Sequence, residues 1–322
     1  MLQVEHLTKC YGAVTAVDDL SFEITSEGVY GFLGPNGAGK STTMNIMTGC
    51  LSATRGTVKI SGYDIYEAPR EAKRRVGYLP EQPPLYLGET PLEFLRFVGE
   101  AKGLRGAELR RQMDAVVEET GIGEMRHRRI SALSKGYRQR VGIAQALLGE
   151  PDTVILDEPT VGLDPIQILE IRALIAQLGE SRTVLISSHI LSEVQTMCSK
   201  ILIISHGRLI AFDAPDALEA RLASPGEISV TAETDAARAK ALIANVPGVS
   251  GVTVVSDSPE RCRLTVSAGG GELYELSKGI FLALAGSGAA LCELGVRKAS
   301  LEDIFLELTE HEPAIEKEAE SA

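Results

Sequence analysis

Gly34-Pro35-Asn36-Gly37-Ala38-Gly39-Lys40-Ser41 stands between the strand-like run Val29-Tyr30-Gly31-Phe32-Leu33 and a helical pattern. Its spacing, G-x-x-x-x-G-K-S after a strand and before a helix, is that of a phosphate-cradling loop. Glycines let consecutive backbone N–H groups curl around phosphate oxygens, and the helix N-terminus adds its positive dipole. Lys40 supplies a point charge beside β- and γ-phosphates, and the Ser41 hydroxyl is able to ligate Mg2+. Gly34, Pro35, Asn36, Gly37, Ala38, Gly39, Lys40, Ser41 and Thr42 are the expected nucleotide contacts.

A second strand-like run, Thr153-Val154-Ile155-Leu156, ends in Asp157 and Glu158. Asp157 is expected to hold Mg2+ through water, and Glu158 is placed to take a proton from an attacking water. Asp157 stands 117 positions after Lys40, a longer interval than a small GTPase carries. Strand signals vanish from about 85 to 150, where helical periodicity runs through Phe94, Phe97 and Val98, then Met113, Val116 and Val117. Thr183-Val184-Leu185-Ile186-Ser187 is a third run fit for a strand buried on both faces. Ile201-Leu202-Ile203-Ile204, the turn pair His206-Gly207 and Arg208-Leu209-Ile210 read as a hairpin. Residues 1 to about 220 thus form an α/β domain with a helical insertion.

Ser224-Pro225-Gly226 breaks the pattern and marks a boundary. Beyond it come a strand at 228–232, a helix at 236–246, and strands at 249–255 and 261–267 joined through Asp257-Ser258-Pro259. A helix with Leu273, Leu276, Ile280 and Leu284 on one face precedes a last strand at 290–294. The order β-α-β-β-α-β is that of a split-βαβ, ferredoxin-like α+β module. Ser300-Leu301-Glu302-Asp303 resembles a capping box opening a final helix to about Thr309. The acidic remainder, 311–322, has few large apolar groups and is expected to be disordered.

The chain has 322 residues, 44% apolar and 24% charged, the balance of an ordinary globular protein. A formal charge of −12 argues against a broad nucleic-acid surface. The basic runs at Lys73-Arg74-Arg75 and at Arg126, Arg128 and Arg129 fit solvated helix ends. Five scattered cysteines (Cys10, Cys50, Cys198, Cys262 and Cys292) offer neither a CxxC pair nor a Cys/His metal spacing, which suits a reducing cytoplasm. Met1-Leu2-Gln3-Val4-Glu5-His6 lacks the basic head and apolar core of a signal peptide. The longest uncharged run, 279–292, falls short of the roughly 20 residues of a membrane-spanning helix.

Leu133-Ser134-Lys135-Gly136-Tyr137-Arg138-Gln139-Arg140, just upstream of the Asp-Glu strand, resembles the signature of ATP-binding cassettes. Ser188-His189 resembles the switch histidine of that family, Gly162-Leu163-Asp164 its dimer-contact loop, Gln82 its lid glutamine, and Tyr11 the aromatic that stacks on adenine. The landmarks run in order over residues 1 to about 220. The resemblance implies a P-loop ABC cassette at 1–224, with a helical subdomain at about 83–150 and an accessory α+β domain at 225–310. It implies ATP and Mg2+ as cofactors, with catalytic roles for Glu158, His189, Lys40 and Gln82. Tyr11, Ser134 and Gly136 would join the loop in binding nucleotide, and Ser41, Gln82 and Asp157 would serve the metal.

The common signature reads Leu-Ser-Gly-Gly-Gln; here Lys135 replaces the first glycine and Tyr137 the glutamine, while Ser134 and Gly136 are kept. That form, and the ending Lys298-Ala299-Ser300-Leu301-Glu302-Asp303-Ile304-Phe305, resemble ABC-2-type exporter ATPases serving gliding motility, sodium extrusion and drug or polysaccharide export. The resemblance then implies a homodimer or paired cassette, with each ATP between one phosphate loop and the partner's signature. It implies separate membrane permease subunits docked on residues from about 83 to 130, a cytoplasmic position on the inner face of the cell membrane, and no nucleic-acid partner. Two other readings fit less well. A ribosome- or DNA-acting cassette ATPase would carry a second phosphate loop or a long coiled coil, and a non-hydrolysing regulatory cassette would not keep Lys40, Asp157, Glu158 and His189 together.

Overall fold

The computed structural model describes residues 1–222, 227–258, 261–269 and 273–297. The expected Ser224-Pro225-Gly226 break, Pro259 of the turn, the helix start at Ser300 and the acidic tail lie outside the described residues. The chain divides into two units, Met1–Pro215 and Asp216–Ala322.

The first unit opens on the hairpin β1 (Leu2–Tyr11) and β2 (Val14–Ile24). Then come β3 (Gly28–Leu33), α1 (Lys40–Met47), β4 (Arg55–Ile60), the short β5 (Tyr63–Asp64) and α2 (Pro69–Arg74). β2, β1, β4 and β5 form an antiparallel sheet in that order. No strand before Val29 was legible by periodicity, and the pairing shows why. The β1–β2 register shifts at Val4/Leu7, Leu7/Lys9 and Lys9/Cys10. Each irregularity breaks the two-residue alternation on which strand recognition depends.

The second sheet is built from β6 (Val76–Leu79), β7 (Thr153–Leu156), β8 (Thr183–Ser188), β9 (Lys200–Ser205) and β10 (Arg208–Asp213), with β3 at its centre. Its order is β10-β9-β3-β8-β7-β6. All neighbours pair in parallel except β9 and β10. Every residue of β7 and β8 is buried, as continuous apolar runs require between helices. His206 (φ 50) and Gly207 (φ 76) make the two-residue turn of the β9–β10 hairpin, with both φ angles positive as its twist demands. Phe22, Phe32, Met44, Ile155, Leu185 and Leu202 belong to one core filling the space between the two sheets and α1.

Between β6 and β7 the chain is helical: α3 (Pro91–Ala101), α4 (Gly106–Glu119) and α5 (Lys135–Leu147). α3 starts on a capping box, with the Glu93 N–H donating to Thr90 Oγ1 (3.3 Å) and the Thr90 N–H to Glu93 Oε2 (2.8 Å). After β7 follow α6 (Pro165–Gly179) and, between β8 and β9, α7 (Leu191–Met197). α8 (Pro215–Leu222) follows β10.

The second unit contains β11 (Glu227–Glu233), α9 (Ala236–Ala244), β12 (Val249–Asp257), β13 (Cys262–Ala268), α10 (Leu273–Gly286) and β14 (Ala290–Arg297). The strand order is β12-β13-β11-β14, antiparallel throughout. Two split βαβ halves interleave in this way, so the unit has the ferredoxin-like topology expected from its element order. Alternation along β13 buries Cys262, Leu264, Val266 and Ala268 against Leu276, Ile280 and Leu284 of α10. Ile280 is 0% exposed at the centre of this small core. Ile280→Ala is expected to lower the stability of the unit by about 2–5 kcal/mol, the cost of deleted contacts plus the cavity left behind. Chemical denaturation followed by circular dichroism would check this, and a loss below about 1 kcal/mol would contradict the core position.

Candidate nucleotide site

The phosphate loop connects the buried end of β3 to α1. Gly39 caps α1 at φ 98, a left-handed conformation in which a side chain would also run into the Ala16 carbonyl. Gly37 (φ 82) differs: a Cβ there would meet nothing within 4 Å, so the loop leaves open room on that side. Lys40 is only 7% exposed and folds back over the loop, its Nζ donating to the carbonyls of Gly34 (2.7 Å) and Pro35 (3.1 Å). Burial pushes its amine pKa down, while Glu158, Asp157 and Glu81 push it the other way. A buried ammonium hydrogen-bonded to loop carbonyls, beside open room and a helix N-terminus, suits an anionic phosphate group.

Parallel strand order brings the other groups to the same end of the sheet. β7 and β8 lie beside β3 in the order β3-β8-β7, and their C-terminal ends carry Asp157-Glu158 and Ser188-His189. Asp157 is 3% exposed and its Oδ1 accepts from the Ser187 hydroxyl at 2.6 Å. Glu158 has φ 48, a left-handed backbone that costs a non-glycine residue about 1–3 kcal/mol. Its N–H donates to the same Ser187 Oγ at 2.8 Å. The Glu158 carboxylate lies 3.0 and 3.1 Å from Nδ1 of His189. Its side chain is 11% exposed against 42% for the histidine, so the carboxylate sits inside and the ring at the rim.

These groups surround a cleft of about 310 Å³, lined by Asn36, Gly37, Lys40, Ser41, Thr42, Glu81, Glu158 and His189 among others. Ser41 is the first residue after Lys40 in α1, so its hydroxyl stands at the helix start beside the cleft. Among the described residues no three acidic, histidine or cysteine side chains cluster tightly enough to cage a metal alone. The oxygen donors present, Ser41 and Asp157, suit Mg2+, which keeps waters and shares its ligands with substrate phosphates.

Gly34, Pro35, Ala38 and Asp157 stand within two positions of lining residues without lining the cleft themselves, and four further expected residues lie outside the lining as well. Tyr11 is 49% exposed, with the Lys9 ammonium 5.1 Å above its ring. Gln82 is exposed in the loop after β6, while its neighbour Glu81 faces the cleft. Ser134 caps α5 by accepting from the Tyr137 N–H at 3.3 Å, and Gly136 in the first turn is packed against Gln167 of α6. Asp164 caps α6 in turn, accepting from the Gln167 N–H at 2.9 Å. Two residues at the site escaped the sequence reading, Glu81 and Ser187. Glu81 stands next to a residue already singled out, and Ser187 is a polar residue in an otherwise apolar buried strand, a signal that was available.

The family model for ABC transporters matches residues 17–161, which include the phosphate loop and the Asp157-Glu158 pair. The linearmycin resistance ATP-binding protein LnrL of Bacillus subtilis (strain 168) is 32% identical over 310 residues, spanning 96% of this chain and 98% of that protein. The bacitracin transport ATP-binding protein BcrA of Bacillus licheniformis is 39% identical over 212 residues, 65% of this chain and 68% of its own length. Among solved structures, a dimeric post-hydrolysis state of the ATP-binding cassette MJ0796 bound to ADP and Pi matches with a TM-score of 0.60 and 25% identity, covering 66% of this chain and 98% of that one. A phosphate loop, a paired Asp-Glu and a histidine around one cleft, together with a relative alike along nearly its whole length, identify the chain: it belongs to the ABC transporter family, as an ATP-binding and ATP-hydrolysing subunit.

Proposed function

We propose that the chain hydrolyses Mg2+-bound ATP at this cleft and drives export through separate ABC-2-type membrane permease subunits. The observation that carries the reading is the convergence of Lys40, Glu158 and His189 on one cleft, with Asp157 beside Glu158, all at the C-terminal end of the parallel strands β3, β8 and β7. Phosphoryl transfer to water asks a protein mainly for positioning and charge neutralisation. Lys40 carries positive charge to the phosphates, and the loop N–H groups orient them. Glu158 takes the proton of the attacking water, and His189 keeps that carboxylate in place through Nδ1. Ser41 and Asp157 would hold Mg2+, which when bound neutralises phosphate charge; Gln82, outside the cleft lining, would join them only by movement of its loop.

The export reading draws on the printed roles of the relatives, linearmycin resistance and bacitracin transport. No helix among the described residues is long and apolar enough to cross a membrane. On the export reading, the permease would be a separate chain and this subunit would sit at the inner face of the membrane. None of the described residues of the accessory domain at about 225–310 lines the cleft, and we assign that domain to dimer contact or regulation. Purified full-length chain is expected to release phosphate from ATP, to stop when Mg2+ is removed by EDTA, and to accelerate when reconstituted with its permease. A chain that binds ATP without Mg2+-dependent hydrolysis would overturn the reading in favour of a regulatory cassette.

Pairing of two cassettes, as in the dimeric MJ0796 relative, gives Ser134 and Gly136 their role: they would reach the nucleotide held by the partner subunit. This explains why both stand on the first turn of α5 away from their own chain's cleft. Ser134→Arg is expected to abolish hydrolysis while ATP affinity of the isolated chain stays within about threefold. Loss of the cap alone costs only about 1 kcal/mol of stability. A homodimer of the variant that hydrolyses ATP at the normal rate would show that Ser134 does not act across the interface.

A further inference from the structure

We propose that Ser187 is a positioning residue for ATP hydrolysis, its hydroxyl fixing the Asp157 carboxylate and the Glu158 backbone in a single arrangement. The inference rests on the roles proposed above for those two residues. Ser187 is the penultimate residue of β8 and is 0% exposed. A buried hydroxyl is costly unless hydrogen-bonded. This one has two bonds, and their directions are fixed. The Glu158 N–H can only donate, so Ser187 Oγ accepts it at 2.8 Å. The single hydroxyl proton is then free for Asp157 Oδ1 at 2.6 Å.

Strand register explains why one side chain reaches both. β7 and β8 pair in parallel with Leu156 opposite Ile186, so one further step brings Asp157 level with Ser187. At Glu158 the chain turns off the strand direction with φ 48. That left-handed turn aims the Glu158 side chain toward His189 and removes its N–H from the strand ladder. Ser187 supplies the acceptor that the ladder no longer does. On its other side β8 pairs with β3, with Phe32 opposite Ser187, so the hydroxyl is carried by the middle of a rigid sheet. An apolar residue here would leave the Glu158 N–H without an acceptor and let the Asp157 carboxylate rotate. Both the metal-facing and the proton-accepting group would lose their placement together.

Groups that orient a metal-binding side chain contribute about 10- to 100-fold to affinity or activity. In the full-length chain, Ser187→Ala is expected to lower kcat by about tenfold or more, and to raise by a similar factor the Mg2+ concentration that half-saturates binding of a non-hydrolysable ATP analogue. The affinity for that analogue in EDTA should stay within about twofold, since the phosphate loop is untouched. Ser187→Thr and Ser187→Val complete the test, because they share a shape and differ by the hydroxyl. Thr is expected to recover both readouts and Val neither. Equal behaviour of Thr and Val, an unchanged Mg2+ requirement in Ser187→Ala, or loss of the metal-free affinity in every variant would each overturn the role. If Glu158→Gln abolishes hydrolysis while Ser187→Ala leaves it intact, this inference alone fails; if Glu158→Gln is active, the reading beneath it fails first.

Discussion

Glu158→Gln is expected to reduce steady-state ATP hydrolysis by about 10²-fold or more, because a general base typically contributes at least that much. Glutamine keeps the size of the side chain, which matters at a position only 11% exposed and in contact with His189. It cannot accept the proton of the attacking water. Binding depends instead on the loop and Lys40, so the affinity for Mg2+-bound ATP should be retained. If two chains pair over ATP as proposed, the variant should accumulate as an ATP-bound dimer visible by size-exclusion chromatography. Phosphate release within about threefold of wild type would remove Glu158 from the role.

Lys40→Ala is expected to weaken nucleotide binding and hydrolysis together. Hydrogen bonds to a charged group contribute about 1.5–3 kcal/mol, which is roughly ten- to a hundredfold in affinity. The effect has two sources in this structure. The phosphates lose an ammonium, and the carbonyls of Gly34 and Pro35 lose the donor that holds the loop closed at 2.7 and 3.1 Å. Lys40→Met removes both functions of the ammonium but keeps the buried stem, so its comparison with alanine isolates the packing of that stem. Both variants should bind Mg2+-bound ATP more weakly by calorimetry, the alanine at least as much as the methionine. Unchanged affinity and turnover in Lys40→Met would remove the ammonium from any role in nucleotide binding.

What the sequence by itself determined was everything carried by local spacing. Gly34 to Ser41 specifies a phosphate loop because the glycines, the lysine and the hydroxyl act within one turn of chain, with no distant partner needed to recognise them. The short runs at 153–156 and 183–187 read as strands covered on both faces, and β7 and β8 are buried at every position. His206-Gly207 announces its hairpin through turn chemistry alone. The element order after 226 was enough for a ferredoxin-like unit, because right-handed split βαβ crossovers leave few ways to arrange four strands and two helices. Tertiary structure decided what depends on which strands become neighbours. His189 meets Glu158 across 31 positions, and Ser187 bridges Asp157 and Glu158 from 30 and 29 positions away, only because β8 is inserted between β3 and β7. Tertiary structure likewise turned Glu81 toward the cleft and left Gln82 exposed, and it built the N-terminal antiparallel sheet from strands whose bulges hide their alternation. Strand order and bulge placement are settled by packing over the whole sheet, and such long-range terms leave no periodic trace in the chain.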